Sequence, residues 1–355
     1  GEWADLLQVC EALPPREGDD VHVVICDDIE GGEGIMTDGC GLISLDLVEK
    51  CPEVASGSNR GERDEAPAAL QHRKLVEGCI FKGILATCAT LPPGLILERN
   101  SMLKVRSPVL DAPGEAGMVT SDNRRGFASL SVNSTFAARG EGARLMPYLV
   151  ILLLHGAQRK GGAEGKRAML RYLLELQAAE AAALLRCNEG HAKTRKREML
   201  AALQFGKAGG VGPRADMLLL NGFDPHREPF LQQKLHEAMK KSIEGLRHGR
   251  VRPRGMCLQL VGLADHTGSL RPDEVCVVSN GQHLLSATDS GERVLLYRSP
   301  GMAPGDVRLV RNTITQEIRQ SLQCVDPERT HIIIFSTQPA GPSGRSLADQ
   351  MAGGD

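Results

Sequence analysis

The sequence predicts a mixed β and α protein: a small barrel of strands, a helical connector, and then a second set of strands. Three observations predict it. Short apolar runs broken by Gly and Pro turn signals fill residues 20 to 105, helical periodicity takes over between 166 and 249, and strand texture returns from Val251 onward.

Residues 20 to 48, DVHVVICDDIEGGEGIMTDGCGLISLDLV, read as short β segments interrupted by Gly-Gly and Asp-Gly turns, and no helix is expected among them. Residues 53 to 73 are polar and rich in Gly, Ser and Pro, which predicts a surface loop. Strands resume with CIFKGILAT (79 to 87), LPPG (91 to 94) turns the chain, and LILERNSMLKV (95 to 105) follows. From 107 to 143 the chain shows little periodicity. YLVILLL (148 to 154) predicts a buried helix or strand and is far shorter than the roughly 20 residues that span a bilayer.

Residues 166 to 186 and 227 to 249 carry apolar positions at helical spacing, the second ending on glycine, and KTRKREMLAALQFG (193 to 206) adds a basic face. Beyond Val251 the strand candidates are MCLQLVGLAD, EVCVVSN, HLLSATD, RVLLYRS, DVRLVRN and HIIIFST, with no helix expected after the last.

With 355 residues, 41% apolar and 24% charged, the chain is globular and long enough for two or three domains. Its ten cysteines form no C-x-x-C pair, and GEWADLLQVC lacks the pattern of a signal peptide. A reduced, intracellular compartment is therefore expected, with nucleus and cytoplasm not distinguished, and no membrane partner. The net charge of -2 hides an asymmetry: residues 159 to 254 hold 20 Lys plus Arg against 10 Asp plus Glu. That suits either a polyanion-facing module or a solvated helical surface.

Several residues stand out chemically. On a strand, Lys82 shares a face with Ile80 and Ile84, so it either snorkels to water or meets an anion. Lys104, between Leu103 and Val105 and on the face of Met102, repeats the arrangement, and two such lysines on neighbouring strands would make a positive pocket for phosphate oxygens. Asp38, in TDGCG, fits plain turn chemistry as well as a site role. YRSPGMAPGDVR (297 to 308) is a corner that could present Arg298 or Arg308 to a triphosphate. A zinc cluster, a G-x-S-x-G elbow and a G-x-x-x-x-G-K-[ST] loop are missing from the sequence.

Seven ordered blocks then resemble one family, the cell-encoded RNA-dependent RNA polymerases of eukaryotic RNA silencing. They are MTDGCGLIS (36 to 44), FKGILA (81 to 86), ERNSMLKV (98 to 105), NGFDPHREPFL (221 to 231), LVGLADHTGSLRPDEVCV (260 to 277), YRSPGMAPGDVR, and IIIFST followed by MAGGD. The resemblance implies a core of two double-psi β-barrels. Its boundaries are an N-terminal remnant (1 to 18), a first barrel (19 to 106), an irregular linker (107 to 143), a basic helical connector (144 to 250) and the opening strands of a second barrel (251 to 355).

It also implies roles. Lys82 and Lys104 would neutralise the incoming triphosphate and the transcript end, Arg308 would assist on the nucleotide, and Asp38 would position a basic partner or the metal-linked site. Asp355 would be the first carboxylate of an Asp-x-Asp-Gly-Asp loop that binds Mg²⁺, so the chain is expected to stop inside that loop and to be inactive by itself. The complete protein would copy a single-stranded RNA template from nucleoside triphosphates, with RNA-silencing proteins as partners. The alternative is a non-catalytic RNA-binding remnant or scaffold. Two departures are Glu77, where the family carries an arginine five residues before the lysine, and His266, where it carries Glu.

Overall fold

The structure, a computed structural model, describes residues 21–31, 34–50, 69–76, 79–105, 130–135, 143–189, 215–224, 227–254, 257–279, 282–283, 293–322, 331–339 and 345–351. The chain divides into two compact units, the first gathering residues 1–140, 259–296 and 308–355, the second residues 141–258 and 297–307.

The first unit is built on two mixed sheets. Sheet one contains β1 (His22–Cys26), β4 (Cys40–Ser44), β5 (Ala69–Val76), β6 (Cys79–Cys88), β7 (Leu95–Arg99) and β9 (Leu130–Thr135) in the order β1-β7-β4-β6-β5-β9, and β8 (Leu103–Val105) also pairs with β6. Between β1 and β4 lies the small ladder β2 (Glu30–Gly31) with β3 (Gly34–Ile35). Sheet two contains β10 (Val261–Ala264), β11 (Glu274–Ser279), β13 (Arg293–Tyr297), β14 (Val307–Asn312) and β15 (His331–Phe335) in the order β10-β15-β11-β14-β13, with β12 (Gln282–His283) paired to β11.

The two sheets share a plan. In the first, β1 runs parallel to β7, β7 antiparallel to β4, and β4 parallel to β6. In the second, β10 runs parallel to β15, β15 antiparallel to β11, and β11 parallel to β14. Central strands of such sheets are covered on both faces and so are apolar without alternation. LILER and HIIIF are accordingly buried at every position.

Successive residues of one strand feed two cores, because side chains alternate between faces. Val24, Leu42, Leu95 and Leu97 join Leu263, Cys276, Ile332 and Ile334 of the second sheet in one apolar cluster. Their neighbours Val23, Ile43 and Ile96 turn the other way, onto Leu70, Phe81, Leu85 and Met102.

Three short helices accompany the sheets: α1 (Leu45–Glu49), α5 (Gln316–Ser321) and α6 (Leu347–Met351). The second unit is helical, with α2 (Pro147–Glu189), α3 (Ala215–Leu220) and α4 (Pro229–Arg247). Gly162, at φ 61° and ψ −149°, breaks α2 into two arms. The arms fold back on each other: a methyl group at Gly165 would strike the Ala157 carbonyl, two residues that a continuous helix would hold about 12 Å apart. Leu149 and Leu173 consequently share one core with Leu246 of α4.

The strand, helix, strand order is present, and several local expectations change. Residues 45–49 form a helical turn rather than strand, with Leu47 and Val48 buried in the core and Asp46 accepting from the Gly94 amide. The region expected to be loop through residue 73 turns into β5 at Ala69, with Ala69, Leu70, His72 and Lys74 buried. A strand, β9, lies inside the segment expected to be irregular. YLVILLL is helix, but half on the surface, with Ile151 60% exposed. A short helix, α6, does follow HIIIF. KTRKREMLAALQFG and Glu77 lie outside the described residues.

Candidate functional site

Three of the sequence blocks converge on one turn. Thr37 to Cys40 closes through a 2.8 Å hydrogen bond from the Cys40 amide to the Thr37 carbonyl, with Gly39 at φ 65°. The Gly39 amide donates to Ser101 Oγ (2.9 Å), and its carbonyl accepts from the Ile84 amide (2.8 Å). A methyl group at Gly83 would overlap that carbonyl and Met102, and one at Gly41 would overlap the Leu97 carbonyl. The glycines of FKG and GCG are therefore close-approach residues.

Asp28 ties the assembly together. It accepts from Thr37 Oγ1 (2.8 Å), Ser101 Oγ (2.7 Å) and the Ser101 amide (2.7 Å). Asp28 went unnoticed in the sequence, although an Asp-Asp pair after the apolar strand HVVIC is a visible signal. Asp38 lies on the same turn, half-buried, beside the glycine whose carbonyl abuts Gly83.

Lys82 is half-buried on β6 between Ile80 and Ile84, with Phe81 and Leu85 facing the core, as the alternation predicts. Directly opposite, in the antiparallel pair β5·β6, stands Arg73, which is exposed. The register between β6 and β8 slips by one residue: Phe81 pairs with Leu103 and Ile80 with Val105, so Lys104 is the extra residue of a bulge. Both Lys104 and Val105 are exposed, while Met102 is fully buried. Lys104 thus does not share the face of Met102; the bulge turns it outward. Arg73, Lys82 and Lys104 lie on three adjacent strands. Arg73 was missed because its segment reads as loop, and only strand register brings it opposite Lys82.

The inward neighbours of Arg73 form a buried charge cluster. Lys74 Nζ donates to both oxygens of Glu98 at 2.9 Å and lies 4.6 Å from the centre of the Phe81 ring. His72 Nε2 is 3.4 Å from Glu98 Oε1, long for a hydrogen bond. Burial by itself would raise the Glu98 carboxyl, but His72 and Lys74 outweigh it and hold the group below the usual carboxylate range.

Arg308, on β14, is half-buried and donates from Nη2 to Gln350 Oε1 of α6. The same helix is fixed to β15 by the Ala348 amide on the Ser336 carbonyl (2.9 Å), and Ser346 Oγ caps it through the Asp349 amide (3.1 Å). Arg308 is therefore attached to the helix that leads toward MAGGD, while Asp355 lies outside the described residues. In the corner before β14, Asp306 Oδ2 accepts from the Ala303 amide (2.7 Å), a structural task.

A cavity of about 20 Å³, room for about one water, opens in the first unit among Thr37, Thr87, Arg99, His266 and Ser321. Burial, with the nearby Arg99 charge, pushes His266 down to about 4 against the pull of Asp265. The neighbouring Asp265 is a loop anchor, accepting from the amides of Thr267 (3.0 Å) and Leu270 (2.9 Å). Among the described residues no group of three His, Cys, Asp or Glu could hold a metal ion, and no helix is long and apolar enough to cross a membrane.

Comparison with known proteins matches the chain to one family. The family model for RNA dependent RNA polymerase matches residues 11–355. The chain is 30% identical over 334 residues to probable RNA-dependent RNA polymerase 3 of Oryza sativa subsp. japonica, covering 90% of this chain and 26% of that protein. It is 29% identical over 359 aligned residues to probable RNA-dependent RNA polymerase 3 of Arabidopsis thaliana, covering 95% and 32%. It spans about a quarter to a third of these relatives' length. In fold it is similar to RNA dependent RNA polymerase QDE-1 from Thielavia terrestris, with a TM-score of 0.56 at 20% identity over 96% of this chain and 35% of that one. The chain belongs to the RNA-dependent RNA polymerase family.

Proposed function

We propose that this chain carries the triphosphate-binding part of a polymerase that, complete, copies single-stranded RNA in RNA silencing. The observation that carries the reading is the pairing of Arg73 with Lys82, beside the outward-turned Lys104. A triphosphate offers several anionic oxygens to such a row of cations on adjacent strands.

In this reading Lys82, Lys104 and Arg73 bind and orient the triphosphate, and the Asp38 turn, clamped by Asp28 and Ser101, holds the lysine strand in place. Arg308 contacts the nucleotide from the second sheet. Mg²⁺ belongs with Asp355, a hard oxygen donor of the kind this ion takes; bound there, it would supply charge neutralisation at the reacting phosphate. The shared strand plan of the two sheets supports reading residues 19 to 106 and 251 to 355 as two double-psi β-barrels, joined by a connector over 144 to 250. Six free cysteines among the described residues fit a reducing, intracellular site of action.

Calorimetric titration of the chain with ATP tests the reading. Lys82→Ala and Lys104→Ala should each weaken binding about tenfold, the effect of losing one charge-assisted hydrogen bond. Lys240→Ala, on the surface of α4, should leave binding unchanged. Equal affinities for all four proteins would sink the assignment. Primer extension by the complete protein separates a polymerase from a non-catalytic RNA-binding scaffold, which would retain RNA without synthesis.

A further inference from the structure

Two sets of cations along the α2 hairpin contrast. Near the ends of the α2 arms, away from the reversal at Gly162, the arginines are committed to carboxylates: Arg144 lies 3.3 Å and Arg252 3.6 Å from Glu180, and Arg254 lies 3.1 Å from Glu175. Around the reversal the pattern is the opposite. Arg159, Lys160, Lys166, Arg167 and Arg171 are all exposed, and Glu164 is the one carboxylate between residues 155 and 174. None of these five cations has an ion pair among the described residues.

Such a tip is unfavourable by itself. Arg167 and Arg171 are four residues apart on one arm, a like-charge spacing that weakens a helix. Arg159 and Lys160, on the other arm, stand at the same end because α2 folds back at Gly162. Nothing in the helical core requires this charge, since packing between the arms is made by Leu149, Leu173 and Leu176.

We propose that the tip of this helical hairpin is a second contact for RNA, gripping the phosphate backbone of a single strand without reading its bases. The proposal rests on the RNA-copying reading but concerns a surface that the triphosphate site does not use. Long, flexible cations without carboxylate partners suit a polyanion, because each phosphate they neutralise releases a counterion. Exposed apolar side chains, Tyr148, Ile151 and Leu174, also occur on the arms. A protein partner would use those, which makes the two occupants separable.

The test is the salt dependence of binding between the chain and a single-stranded RNA. A triple variant, Lys166→Gln, Arg167→Gln and Arg171→Gln, keeps good helix formers at exposed positions. Three lost phosphate contacts should reduce the slope of log K against log salt by about 2, while ATP affinity stays as in the unsubstituted chain. Glu164→Gln should act in the opposite sense, tightening binding, which a loss of folding could not imitate. An unchanged slope in a folded triple variant overturns the proposal and leaves the RNA-copying reading standing. If the unsubstituted chain retains no RNA at any salt concentration, the tip proposal falls, while the ATP titration still decides the triphosphate reading.

Discussion

Glu98 holds two basic side chains inside the first sheet, and its removal would strand a buried ammonium. Glu98→Gln should therefore destabilise the first unit by about 3–5 kcal/mol, read by urea unfolding. Replacing the pair together, Lys74→Met with Glu98→Leu, should recover much of that loss, because no charge is then left buried. His266 makes a prediction about pH. Its folded pKa, about 4, lies below the ordinary 6.5, so the unfolded chain takes up this proton first as pH falls. Stability from this residue is complete above about pH 6.5 and declines toward pH 4. Glu98, also depressed, weakens the fold on acidification only at lower pH. His266→Gln should thus flatten the stability profile between pH 6.5 and 4.5; an unaltered profile would show that the imidazole is not buried as described.

At the scale of elements, two irregularities decide where charge is displayed. The bulge in β8 turns Lys104 outward, and the reversal in α2 gathers basic residues at one tip. Gly162 adopts a φ and ψ almost restricted to glycine, yet a methyl group there would meet nothing within 4 Å. Gly162→Ala should therefore cost backbone strain alone, about 1–3 kcal/mol, seen as an earlier loss of helical circular dichroism on heating. Gly83→Ala differs in kind: its methyl would press on the Gly39 carbonyl, so both stability and ATP affinity should fall as the Asp38 turn moves off the lysine strand.

For the whole molecule, the joint core of the two sheets predicts that the first unit unfolds as one body. Ile334 lies in the second sheet yet belongs to the cluster that contains Leu95 and Leu97 of the first. Ile334→Ala should cost about 2–5 kcal/mol and lower hydrogen-exchange protection in β7 as much as in β15. Protection lost only in β15 would mean that the sheets unfold independently.

What the sequence determined by itself were properties carried by local periodicity and short motifs. The apolar runs of β6, β7 and β15, the helical spacing of α4 with its glycine stop, and the paired glycines around TDGCG and FKG all reflect interactions within a few residues. Lys82 was readable for that reason, since alternation along one strand places it opposite the core. Register, pairing and reversal were decided only by the tertiary structure, because they depend on segments far apart in the chain. Arg73 became Lys82's neighbour through a hairpin whose first strand looked like loop, and Lys104 faces outward because β8 has one residue more than β6 can match. The likeness of the two sheets lies in the order and direction of their strands, which hydrogen bonds between distant backbones create and side-chain patterns do not record.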